Sequence, residues 1–256
     1  MIEIKNLKKS FGEKHVLNDL QLQVFDKEIL FIVGRSGSGK SVLLKHIMGL
    51  MKPDSGEVLI DGTDMTKLEG TALIERLYNI GMIFQGGALF DSMSVGQNVT
   101  FYLENHAKVA GEKIKRSEIR ELGEMALEQV GLKGTYDFQI SDLSGGMKKR
   151  ASIARGIVYK PAYLFYDEPT TGLDPITGKK IAELIVTLHQ RGGKTTIVVS
   201  HDIVTTLYCA DRIALIEDAT IKIIDSPMKF MKYENDSIKE FNRMIGYDLS
   251  LIRHKD

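Results

Sequence analysis

A single cysteine, Cys209, stands in a chain of 256 residues. That scarcity excludes a disulfide framework and any zinc site built on cysteines. Cys209 itself reads as a small buried apolar residue. An excess of one charge is also missing, since 34 Lys and Arg balance 34 Asp and Glu. The balance argues against a protein held on nucleic acid by bulk charge, and no nucleic-acid partner is expected. No window offers the roughly 18 uninterrupted apolar residues of a membrane span. Work at a membrane would then need another chain to supply the membrane. Met1 to Asn6 holds no basic segment followed by an apolar run, so no signal peptide is expected. Internal repeats and low-complexity stretches are absent too. What is present is ordinary, 43% hydrophobic and 27% charged residues, in a chain long enough to bury a full core.

Ile29 to Val33 is a short apolar run ended by Gly34, which reads as a buried strand entering a tight turn. Val42, Leu43, Leu44, Ile47 and Met48 then suit a helix, stopped by Gly49 and Pro53. Glu57 to Ile60, closed by Asp61-Gly62, predicts a hairpin, and Ile80 to Phe84 another strand. From about Ser94 to Lys160 strand-like runs vanish and helical patterning takes over, with a long amphipathic stretch from Ile114 to Val130 and a helix from Ser144 to Tyr159. Strands return at Tyr163–Tyr166 and Thr195–Val199, with a helix over about Pro175–Arg191 between them. Arg212–Glu217 and Thr220–Asp225 read as a closing hairpin. Strands alternating with helices predict an α/β fold, a mainly parallel sheet with helices on both faces and an inserted helical block. After Pro227, Ile238, Phe241, Ile245, Leu249 and Ile252 approximate a helical seam interrupted by Gly246. That seam fits docking onto the protein's own body or a partner surface.

The sharpest motif is Gly34-Arg35-Ser36-Gly37-Ser38-Gly39-Lys40-Ser41, which fits G-x-x-x-x-G-K-[ST] without mismatch between an apolar strand and a helix. Phosphates need several inward-pointing backbone N–H donors, and glycines keep Cβ atoms out of the way. Lys40 would place a compact cation on the β/γ-phosphates, and the Ser41 hydroxyl would ligate Mg²⁺. Tyr163-Leu164-Phe165-Tyr166-Asp167-Glu168 is an apolar strand ending in two acids. Buried strands seldom end so without a positive group nearby. Asp167 would hold Mg²⁺ and Glu168 would orient or deprotonate the attacking water. The plainer reading makes both acids solvated turn residues before Pro169.

Leu143-Ser144-Gly145-Gly146-Met147, ahead of a helix carrying Lys148, Lys149, Arg150 and Arg155, decides the class. With this segment the sequence resembles the ATP-binding cassette (ABC) ATPases, over about Met1 to Asp225. The resemblance implies a P-loop NTPase (RecA-like) core with antiparallel β hairpins over about 1–90 and 160–225. It also implies an α-helical subdomain over about 91–159, followed by a C-terminal helical tail over 226–256. It implies ATP and Mg²⁺ as ligands and a head-to-tail homodimer in which Ser144, Gly145 and Gly146 of one chain close on the nucleotide of the other. Phe11 stands where the family stacks an aromatic on adenine, though an ordinary core Phe fits as well. Val42 follows the phosphate loop into its helix and is grouped with the nucleotide site. Gln85 falls at the glutamine that touches Mg²⁺ and senses the transport partner. Asp174 lies in the loop that links the two sites, and it also reads as a helix N-cap before Pro175. His201 takes the place of the γ-phosphate histidine. His15, His46, His106, His189 and His254 match no element of the family.

"FQGGALF", "LSGGMKKRASIARGI" and "DEPTTGLDPIT" together resemble the Mla/Mce group of ABC ATPases, with Met147 where Gln is common. That group powers phospholipid movement between inner and outer membranes. The likeness implies a multispanning permease, a periplasmic Mce-domain lipid-binding partner, and a peripheral place on the cytoplasmic side of the inner membrane. The rival readings are the ATPase of another transporter, for solute import or lipoprotein extrusion, and a soluble cassette ATPase such as an iron–sulfur assembly type.

Overall fold

The computed structural model describes residues 1–110, 114–246, 250 and 252. The chain opens with β1 (Ile2–Phe11) and β2 (Lys14–Val24), then β3 (Ile29–Val33), α1 (Lys40–Ile47), β4 (Ser55–Ile60), β5 (Thr63–Asp64), α2 (Gly70–Leu77) and β6 (Ile80–Ile83). Three helices follow, α3 (Val95–Ala110), α4 (Arg116–Gln129) and α5 (Gly145–Ile157). The rest runs β7 (Tyr163–Asp167), α6 (Pro175–Gly192), β8 (Thr195–Ser200), α7 (Ile203–Cys209), β9 (Arg212–Glu217), β10 (Thr220–Asp225), α8 (Pro227–Phe230) and α9 (Asp236–Met244).

Two sheets form. A six-stranded sheet has the order β10-β9-β3-β8-β7-β6, and an antiparallel one the order β2-β1-β4-β5. In the larger sheet β9, β3, β8, β7 and β6 run parallel, while β10 closes the edge antiparallel to β9. β3 is buried along its whole length, as is β8. Burial on both faces is why these segments read as unbroken apolar runs. Successive side chains still point to opposite faces. Phe31, Tyr166 and Val198 enter a core under α5, α6 and α7. Leu30, Ile32, Phe165 and Val199 enter a second core with Leu43, Leu44 and Ile47 of α1 and the inner face of the small sheet. The molecule is thus a P-loop NTPase core with added antiparallel strands and an inserted helical group, α3, α4 and α5, which pack on one another.

Parallel register aligns the carboxyl ends of the strands. Val33 pairs with Ser200, Asp167 with Val199, and Ile83 with Tyr166. The loops after β3, β6, β7 and β8 therefore emerge side by side, where α/β sheets bind ligands. The C-terminal seam packs on the chain's own body. Ile238 is fully buried in the core, Phe241 and Ile245 pack against that core, and Ile252 is buried with them. Leu249 lies outside the described residues, as does His254, and the side chain of His106 is not described. Among the described residues, no helix is long and apolar enough to cross a membrane.

Candidate active site

The loop between β3 and α1 is built around two glycines that admit no side chain. A Cβ on Gly34 would collide with the carbonyl oxygen of Ile216. Gly39 has φ +99°, and a Cβ there would sit 2.8 Å from the Val16 carbonyl oxygen. The turn delivers Lys40 at the start of α1, where its ammonium donates to the Gly34 and Arg35 carbonyls at 2.8 and 3.1 Å. Burial pushes the Lys40 pKa below the ordinary lysine value, while Glu168 and Asp167 oppose that shift. The Ser38 hydroxyl is buried at the base of the loop and, among the described residues, has no hydrogen-bond partner. Arg35 points away and pairs with Glu240 of α9 at 3.3 Å.

β7 brings the two acids in from the neighbouring strand. Ser41 Oγ donates to Asp167 Oδ1 at 3.0 Å. Burial raises the Asp167 pKa and Glu168 adds to the rise, against the Ser41 hydrogen bond and the Lys40 charge. Glu168 is held in the left-handed region at φ +50°, a strained state for a residue with a Cβ. Its amide donates to the Val199 carbonyl at 2.9 Å, which fixes that conformation against β8. One carboxylate oxygen, Oε2, takes both the Thr171 hydroxyl at 3.1 Å and His201 Nδ1 at 2.7 Å. The imidazole donates in that contact, which leaves Oε1 for another proton.

A cavity of about 490 Å³ opens over these groups. Of the residues singled out from sequence, Phe11, Ser36, Gly37, Gly39, Lys40, Ser41, Val42, Gln85, Glu168 and His201 line it. Gly34 and Ser38 lie in the loop's floor. Phe11 is half exposed at the rim rather than a core residue. Ser144, Gly145, Gly146 and Asp174 do not line the cavity; Ser144 and Asp174 instead cap α5 and α6 and are exposed. Lys14 and Val16 line it without having been anticipated. They arrive through the pairing of Phe11 with Lys14 across the first hairpin, which no local motif announces. Mg²⁺ fits this donor set. The Ser41 hydroxyl, on the cavity, meets the half-buried Asp167 carboxylate just outside its lining, and Gln85 lines the same cavity; all offer the hard oxygen donors that ion takes alongside water.

Glycine-lined loop, acids and imidazole all leave the same ends of adjacent parallel strands, and together fold and site define an ATP-hydrolysing P-loop cassette. Residues 17–171 match the family model described as ABC transporter, and the chain belongs to that family as an ATPase coupled to transport. It is 41% identical over 221 residues to the intermembrane phospholipid transport system ATP-binding protein MlaF of Haemophilus influenzae, covering 86% of this chain and 82% of that one. It is 37% identical to the chloroplastic protein trigalactosyldiacylglycerol 3 of Arabidopsis thaliana, covering 94% of this chain and 73% of the relative. A sulfate/thiosulfate import ATP-binding protein of Caulobacter vibrioides is 36% identical over 88% of this chain and 65% of its own length. Among solved structures, an ABC cassette captured as a dimer with ADP and Pi superposes with a TM-score of 0.79 at 31% identity. It covers 89% of this chain and 99% of the other.

Proposed function

We propose that this chain drives phospholipid transport between the inner and outer membranes. In this reading it hydrolyses ATP as a head-to-tail homodimer bound to a multispanning permease. It sits on the cytoplasmic face of the inner membrane, and a periplasmic Mce-domain protein completes the assembly. The observation that carries the cargo is the 41% identity to a phospholipid transport ATPase over 82% of that protein's length.

Glu168 acts as the general base. With Oε2 engaged by Thr171 and His201, its free oxygen takes the proton of the attacking water. Lys40 exchanges its two loop carbonyls for β- and γ-phosphate oxygens, and the loop's backbone N–H groups complete the cradle. Phe11 at the rim stacks on the base, and His201 reaches the γ-phosphate from its exposed position. Ser41, Asp167 and Gln85 would hold Mg²⁺, which when bound neutralises phosphate charge. Ser144, Gly145, Gly146 and Asp174 serve the partner's nucleotide.

Two experiments test this. Glu168→Gln should keep ATP binding and lose turnover by roughly 10²–10⁴-fold; equal turnover would sink the base assignment. Affinity purification of the tagged chain from detergent-solubilised native membranes should recover a permease together with an Mce-domain protein. A solute-import permease in their place would overturn the lipid reading and leave the ATPase chemistry standing.

A further inference from the structure

Two cations of α5 are buried and have no part in the chemistry above. Lys149 and Arg155 are 5% and 6% exposed, and among the described residues neither forms an ion pair. Both end on one stretch of backbone. Lys149 Nζ donates to the Gln85 carbonyl at 2.7 Å. Arg155 donates Nη1 to the Ala88 carbonyl at 2.7 Å and Nη2 to that of Gly87 at 2.8 Å. Gly87 and Ala88 have φ of +75° and +49°, and Ala88 carries a Cβ in that region. The loop is thus held in a demanding shape by side chains of a single helix.

Backbone carbonyls alone are poor compensation for a buried ammonium. Burial presses the Lys149 pKa down, and only the charges of Asp167 and Glu168 push back. An apolar side chain would pack there at less cost, so the cation is explained by what it holds. What it holds is the main chain of Gln85, whose residue lines the nucleotide cavity.

We propose that Lys149 is a positioning residue for Gln85, and that with Arg155 it joins the Gln85–Ala88 loop to α5 as one rigid unit. The main chain that carries the Gln85 amide is then set by a side chain of the helix that Ser144 opens. The inference rests on the metal role given to Gln85 under the proposed function.

Charge and positioning predict opposite signs here. Removing a positive charge near Asp167 and Glu168 should by electrostatics alone strengthen Mg²⁺ binding. Removing a prop for Gln85 should weaken it. Lys149→Met is close in volume and apolar, so the fold should survive, which a cooperative melt checks. The readout is the Mg²⁺ concentration giving half-maximal binding of a fluorescent ATP analogue. Lys149→Met should raise that midpoint about 10-fold, the lower end of the scale for groups that orient metal ligands. Gln85→Ala should raise it as well, and adding Lys149→Met to Gln85→Ala should raise it no further, leaving only the charge effect, which lowers it. Lys149→Arg, which keeps a charged donor, should stay within about three-fold of the parent. Amide hydrogen exchange should speed up over Gln85–Ala88 in Lys149→Met and stay unchanged in the phosphate loop. A lowered or unchanged midpoint in Lys149→Met overturns the proposal, as does an equal shift in both backgrounds. If Gln85→Ala shifts the midpoint and Lys149→Met does not, only the positioning role fails. If Gln85→Ala leaves it unmoved, the metal role of Gln85 fails and takes the proposal with it.

Discussion

At the residue scale, the strand that carries the acids holds two groups whose burial is not fully compensated. Tyr166 is completely buried, and among the described residues its hydroxyl has no hydrogen-bond partner. A buried polar group left unpaired costs about 1–3 kcal/mol. Tyr166→Phe keeps the ring and removes that cost, so stability should rise by about 1 kcal/mol in denaturant unfolding, with Tm up by roughly 2–4 °C. A loss of stability instead would mean that the hydroxyl has a partner. Asp167, next along, has its pKa raised by burial above the ordinary 3.8. A carboxyl raised in the folded state favours folding only while protonated, and that contribution is lost as pH climbs through its folded pKa. Asp167→Asn should therefore be the more stable protein at neutral pH without nucleotide. Its advantage should fade in melts taken down through and below pH 3.8, where the carboxyl becomes protonated in folded and unfolded chains alike. An advantage independent of pH would show that charge is not the cause.

At the element scale, what the sequence revealed depended on burial. The apolar runs of β3, β7 and β8 stood out because they are covered on both faces. The first hairpin did not, because β1 and β2 are half exposed and their register shifts at Ile4/Leu7, Leu7/Lys9 and Lys9/Ser10, which breaks any simple alternation. α2 begins on a glycine and buries no residue fully, and α7 is only seven residues long, so neither showed a clear period. The site followed the same logic. Phosphate loop and acidic strand end are contiguous in sequence and could be read directly. Lys14 and Val16 reach the cavity only through strand pairing, and the grip of Lys149 and Arg155 falls on carbonyls, which every residue has. α7 also ties the site together through Asp202. Its Oδ1 caps Val204 and Thr205 at 3.0 and 3.2 Å, while Oδ2 accepts the Thr170 hydroxyl at 3.2 Å. Asp202→Ala should cost about 1–2 kcal/mol as a lost cap. It should also lower kcat by less than Glu168→Gln does, because His201 and the Thr170–Thr171 segment lose their common anchor while Glu168, the proposed base, remains. Unchanged stability would show that the cap contributes nothing, and an effect on stability without any on kcat would confine Asp202 to capping.

At the scale of the whole molecule, the cavity is finished on one side only. Ser144, Gly145 and Asp174 are exposed and stand apart from the chain's own nucleotide cavity, although Ser144 and the glycines after it open a helix whose N-terminus favours an anion. A site that needs those groups from a second chain makes hydrolysis a property of the dimer. Specific ATPase activity of the isolated chain should then climb with protein concentration until dimers dominate, whereas a site complete in the monomer gives a flat line. Glu168→Gln with ATP should sediment as a dimer, since the closed state is no longer consumed by turnover. Adding Ser144→Arg should return it to monomer without weakening ATP binding, because the exposed Ser144 touches nothing in its own chain's cavity. The two measurements separate the possible failures. A flat activity line with a dimeric Glu168→Gln would mean that dimers form but are not required for chemistry. A double variant that still dimerises would mean that the two chains meet elsewhere than at Ser144.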